Sequence, residues 1–184
     1  MKRLLDLVVS LAALLLLSPV LLGAAVAVVW GSGWPIFYRQ QRVGRGGQTF
    51  GMLKFRSMHK DADAVGPYFT AANDARITPV GRFLRRTSID ELPQIINVLM
   101  GDMSLVGPRP DVPAQQPLYS SADWVRRCSV LPGITGLAQV KGRSECTFAQ
   151  RLAFDLQYVS NSTVWLDVKI LTATVIQLRR TQSN

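Results

Sequence analysis

The 184 residues suffice for one domain with a real hydrophobic core and are too few for two comfortable ones. Apolar residues make up 48% and charged residues 18%, which excludes a disordered chain, and mean hydropathy just above zero points to contact with a membrane. The formal charge of +9 is unevenly placed: residues 1–60 carry eight bases against Asp6 alone, a net +7, and the remainder only +2. A uniformly basic surface is therefore excluded. Cys128 and Cys146, 18 residues apart with no paired spacing, read as reduced thiols, and a single histidine, His59, excludes a multi-histidine metal site.

From Leu7 to Trp30 the chain runs 24 residues without a charge, broken by Ser18-Pro19 and Gly23. As one straight helix it would reach about 36 Å, enough to span a bilayer. A signal peptide is the other plain reading, with Lys2-Arg3 ahead of the run and Ala25 and Ala27 as small residues for cleavage. The flanking charges decide against both. Lys2 and Arg3 precede the run, and Arg39, Arg42, Arg45, Lys54 and Arg56 follow it with no acid among them, so both ends favour the cytoplasmic side. Such a segment needs a bend, and Ser18-Pro19 supplies one, because proline removes an amide donor and clashes with the preceding turn. The expectation is a re-entrant helix–break–helix over residues 1–30, with Lys2 and Arg3 reaching lipid phosphates.

Residues 31–184 are expected to form a cytoplasmic domain at the membrane surface, of α+β class and mainly α. Ile36–Val43 and Thr49–Phe55 flank Gly44-Arg45-Gly46-Gly47 and predict a β-hairpin. A polar loop follows from His59 to about Arg76, turning at Gly66-Pro67. Ser88 and Glu91 have capping-box spacing before an apolar run that Gly101 stops, although Pro93 in the first turn would make Asp90 the cap instead; either way Asp90 and Glu91 fall at a helix start. Gly107-Pro108-Arg109-Pro110 reads as a stiff loop and Pro132–Gly136 as a tight element leading through Gln139 to Arg143. Helices are predicted over about 146–159 and 163–180. In the second, Val164, Val168, Leu171, Val175 and Leu178 form a stripe that suits either the core or, with Trp165 and Arg179-Arg180, a membrane surface.

The acids Asp90 and Glu91 are the main candidates for chemistry. An aspartate can attack phosphorus and a second carboxylate can help hold Mg²⁺, yet acids also stand in first helical turns simply because they stabilise them. The company around them favours chemistry on phosphate: Arg85 and Arg86 just before the pair, Lys54 and Arg56 at the end of a strand, Arg109 between two prolines, Arg143 beyond a glycine-rich turn. There is no Walker A motif and no GxGxxG.

Four motifs in order carry a resemblance: Lys54-Phe55-Arg56-Ser57-Met58, Thr87–Gln94, Gly101–Pro110 and Pro132–Gly136. With them the chain resembles the bacterial sugar transferases, small monotopic phosphoglycosyl transferases, over nearly its whole length. The resemblance implies transfer of a phosphosugar from a UDP-sugar to undecaprenyl phosphate, a polyprenyl phosphate, with release of UMP. This is the first membrane step of glycan assembly, at the cytoplasmic face of the bacterial inner membrane. It implies Asp90 as nucleophile through an aspartyl-phosphosugar, Glu91 as its partner with Mg²⁺ as cofactor, and Lys54, Arg109 and Arg143 at phosphates. Arg56, Arg85 and Gln139 complete the expected phosphate and substrate contacts. The competing readings are a non-catalytic membrane scaffold and a binder of anionic lipid or nucleic acid. The near balance of charge beyond residue 60 weighs against the binder, and no nucleic-acid partner is expected.

Overall fold

The computed structural model describes residues 1–60, 62, 74–142 and 146–182. The turn expected at Gly66-Pro67 and the candidate Arg143 lie outside the described residues. So do the side chains of Leu178, Arg179 and Arg180.

The fold is mainly helical with a small antiparallel hairpin. Helix α1 (Lys2–Leu16) and helix α2 (Ser18–Ser32) meet at a 62° bend, and neither alone is long and apolar enough to cross a membrane. The break falls one residue earlier than expected, at Leu17. Ser18 and Pro19 open α2 instead, because the first turn of a helix has no use for the amide that proline lacks. Ser18 Oγ donates to Leu15 O at 2.8 Å, occupying a carbonyl that α1 leaves open at its end. Strands β1 (Phe37–Val43) and β2 (Thr49–Phe55) pair around a single 3₁₀ turn at Arg45–Gly47, where Gly46 and Gly47 take positive φ.

By its contacts the chain divides into two compact units. The first comprises Met1–Leu11, Gln41–Gly51 and Ile95–Asn184; the second comprises Ala12–Gln40 and Met52–Gln94.

In the first unit, strands β3 (Ser104–Val106) and β4 (Gly133–Thr135) pair in parallel, Ser104 opposite Gly133 and Val106 opposite Thr135. A Cβ on Gly133 would lie 2.1 Å from Gly107 N, and one on Gly136 2.2 Å from Gly107 O. The glycines of both motifs are thus required by close backbone approach. The unit's later helices are α5 (Ser121–Arg127), α6 (Leu137–Gly142), α7 (Phe148–Asn161) and α8 (Val164–Gln182). Thr147 and Gln150 form a reciprocal capping box that starts α7 close to its expected place. Helices α5 and α6 pack on α7, and α8 packs on α6, β3 and β4. Val43, Tyr119, Trp124, Cys128 and Leu152 form an apolar cluster.

The face that α8 buries is not the stripe that suited either the core or a membrane surface. Asp167 and Ile170 are buried, Thr174 Oγ1 and Thr135 Oγ1 share a hydrogen bond at 2.8 Å, and Gln177 donates to Val140 O at 2.7 Å. Val168 and Val175 are exposed, as are Trp165 and Ile176. The packed face is the one that satisfies polar partners, which leaves Val168 and Val175 of the stripe outside the core.

The first turns of α1 are fastened within this unit. Lys2 Nζ donates to Asp167 Oδ2 at 2.6 Å, Val106 O at 3.0 Å and Tyr158 Oη at 3.1 Å. Arg3 donates to Val98 O and Leu99 O, carbonyls near the end of α4 (Gln94–Met100). Asp6, 2% exposed, accepts from Ser104 Oγ and from Leu105 N. Lys2 and Arg3, expected at lipid phosphates, have protein partners here.

The second unit is built on Ala24, Val28, Phe55 and Leu84, with Leu21, Ala25, Ile36, Val80 and Ile89 packed around them. Helix α3 (Pro79–Arg86) starts at Thr78, whose Oγ1 accepts from Gly81 N at 3.0 Å. It packs against α2 and against the strand-end residue Ser57. A Cβ on Gly81 would fall 1.8 Å from Ser57 O.

Candidate active site

Helix α3 ends at Arg86, and Thr87 closes it. Ser88 then takes φ 56°, ψ 16°, the one non-glycine positive φ among the described residues, and reverses the chain into a 3₁₀ turn, Ile89–Glu91. The expected capping box is absent. Ser88 makes no side-chain cap, and the next α-helix begins only at Gln94, after Pro93. Asp90 and Glu91 therefore sit on a separate turn between two helices. Its register is fixed by Ile89, which packs on the Phe55–Leu84 cluster.

Asp90 is 7% exposed. Burial raises its carboxyl above the usual carboxylate range; Lys54 pulls it back, Glu91 pushes it up further, and Arg85 pulls it down. Lys54, at the end of β2, donates to Glu91 Oε1 at 2.9 Å. Arg85 Nε donates to Ser57 Oγ at 2.8 Å, which steadies it on the Lys54–Ser57 segment. Arg56 carries a buried Nη1 with no hydrogen-bond partner, and Gln94, 1% exposed, a buried Nε2 with none.

Of the expected residues, Asp90, Glu91, Lys54, Arg56 and Arg85 fall in this unit. Arg109 and Gln139 belong to the other, where both amide atoms of Gln139 are buried without partners. Reading residues singly missed the Lys54–Glu91 pair, 37 positions apart, and the role of Ser57. The only signal for Ser57 is its place in the Lys54–Met58 motif.

No group of three or more His, Cys, Asp or Glu residues poised for a metal occurs among the described residues. Asp90 and Glu91 alone are a donor set that fits Mg²⁺ carried on a substrate's phosphates, since this ion keeps several waters and takes one or two protein carboxylates. An acid whose pKa burial raises, beside a carboxylate–lysine pair and an anchored arginine, has the groups that chemistry at phosphorus needs.

A family model described as bacterial sugar transferase matches residues 1–181, and the chain belongs to that family. Its relatives include the UDP-glucose:undecaprenyl-phosphate glucose-1-phosphate transferase of Caulobacter vibrioides, 43% identical over 99% of this chain and 71% of that protein. The protein of the same name from Escherichia coli K12 is 45% identical over 96% of this chain, which spans 40% of its length. The exopolysaccharide production protein ExoY of Rhizobium meliloti is 40% identical over 95% of this chain and 83% of its own.

Proposed function

We propose that the chain transfers a phosphosugar from a UDP-sugar to undecaprenyl phosphate and releases UMP, with Asp90 as the attacking group. The observation that carries this is Asp90 itself, a buried acid on a turn fixed between two helices and faced by Lys54 and Arg85. In the first half-reaction an ionised Asp90 oxygen bonds to the phosphorus that bears the sugar, and the bond from that phosphorus to the bridging oxygen breaks. UMP leaves with that oxygen and its electron pair. In the second, a phosphate oxygen of the polyprenyl phosphate attacks the same phosphorus, and the Asp90 carboxylate is restored. One site thereby serves a soluble donor and a membrane-bound acceptor in turn.

Lys54 and Arg85 offset the charge brought by the diphosphate, and Glu91 holds Lys54 in place for that task. Mg²⁺, held by Asp90 and Glu91 and the substrate, would neutralise phosphate charge when bound. Arg109 takes a phosphate through its planar fork.

The bent helix pair enters and leaves the cytoplasmic face of the inner membrane, and residues 31–184 work on that surface. Leu22, Val26, Val29 and Trp30 on α2 are exposed, as an apolar helix lying in lipid requires. The test is UMP release from a panel of UDP-sugars with undecaprenyl phosphate and Mg²⁺ in nanodiscs. Wild type releases UMP with at least one donor, and Asp90→Asn loses at least about a thousandfold. Substantial turnover by Asp90→Asn would remove the nucleophile from this scheme.

A further inference from the structure

The Pro108–Asp111 segment has every backbone carbonyl held by a donor from elsewhere in its unit. Gly133 N donates to Pro108 O at 3.0 Å and Val43 N to Asp111 O at 2.8 Å. Between them, Arg127 Nη2 donates to Arg109 O at 2.6 Å and Arg42 Nη1 to Pro110 O at 2.9 Å. Two prolines fix φ on either side of Arg109, and Gly107 admits no side chain, because a Cβ there would lie 2.4 Å from Leu131 O. The backbone of Arg109 is thus clamped while its side chain is only half-buried.

Arg127 is itself set for this task. It is 4% exposed, with Nη1 on Asp111 Oδ2 at 2.9 Å and Nε on Asp155 Oδ2 at 2.8 Å. Asp111 is held in turn by Tyr119 Oη and by Arg151 Nη2 at 2.9 Å. Two carboxylates would balance a buried guanidinium without any third bond. The fork nevertheless spends its remaining arm on the carbonyl of Arg109.

We infer that Arg127 and Arg42 are positioning residues that pre-order Arg109 for a nucleoside diphosphate, a role that rests on the phosphate reading of Arg109 given above. Holding the backbone in advance removes ordering cost from the binding step, so loosening the clamp weakens binding through Arg109 alone.

The test is calorimetric binding of UDP, with Mg²⁺, to the full chain in detergent. Arg109→Ala weakens UDP at least about tenfold, as loss of a charged phosphate ligand should. Arg127→Lys keeps the charge between Asp111 and Asp155 but shortens the arm, and Arg42→Met leaves that buried pair untouched. Each is expected to weaken UDP about fivefold and to add nothing in the Arg109→Ala background. A purely structural role would lower Tm and weaken UDP alike in both backgrounds, which overturns the inference. So does an unchanged UDP affinity in both Arg127→Lys and Arg42→Met while Arg109→Ala is impaired; the phosphate reading then survives. If Arg109→Ala binds UDP like wild type, that reading fails and the clamp with it.

Discussion

In the proposed reaction Asp90 must be ionised to attack phosphorus, yet its surroundings raise its pKa. Its folded pKa lies above the unfolded value, so the proton binds more tightly in the native state. The stability this lends is fully present below the unfolded pKa, about 4, and is lost as pH rises through the folded value. Asp90→Asn should therefore melt higher than wild type at pH 7, with the difference gone near pH 3.5. The acid limb of kcat/KM for wild type should sit above the ordinary carboxylate range, and a limb near pH 4 would deny the raised pKa its catalytic meaning. Ser88 offers a second test. Its left-handed backbone tolerates glycine but not a β-branched side chain, so Ser88→Val should cost about 2 kcal/mol in urea unfolding and Ser88→Gly under about 0.5 kcal/mol. This residue also shows a limit of sequence reading: Ser-x-x-Glu has capping-box spacing whether or not the serine adopts a cap's conformation, and only the backbone angle separates the two.

Helix α3 sets the height of the acidic turn, and Gly81 sets the height of α3. A methyl group at Gly81 would meet the backbone of Ser57, which cannot rotate away, and the helix would have to lift off the strand end. Gly81→Ala should destabilise by about 3 kcal/mol and lower UMP release beyond what unfolding explains, measured at a temperature where the variant is still folded. The elements themselves were unequally legible. The hairpin, the bent apolar pair, α7 and α8 announce themselves through alternation, an uncharged run or a cap. The β3–β4 pair does not, because three residues per strand contain no period to detect and their partners lie 29 positions apart. In α8 the periodicity was real, but the packed side is the one where Asp167, Thr174 and Gln177 find partners.

Over the whole molecule, the charge excess near the apolar segment has two uses. Part of it, in the proposed membrane placement, keeps both ends of the bent helix on one side, and part makes contacts within the protein. Lys2 completes a cluster with Asp167 and Tyr158 that no local pattern could reveal, since its members lie 156 and 165 positions away. Asp167 is 1% exposed, and Lys2→Met would leave it without a cation. Because Lys2 is itself partly exposed, the expected loss is about 2 kcal/mol, read from urea unfolding. Asp6, the single acid among the first 60 residues, is likewise a structural anchor, accepting from Ser104 and Leu105. The candidate site was legible as a set of residue types; their pairings were not, since Lys54 meets Glu91 only once β2 and the acidic turn are both in place.

The fastening of α1 also bears on the order in which the molecule can be assembled. Lys2 emerges from the ribosome 165 residues before Asp167, so the apolar pair is complete long before the partner that pins its first turn has been made. Closure of so long a loop is slow compared with helix formation. The bent pair therefore forms before the fold is complete, and a chain stalled before α8 would hold that pair with its root unattached.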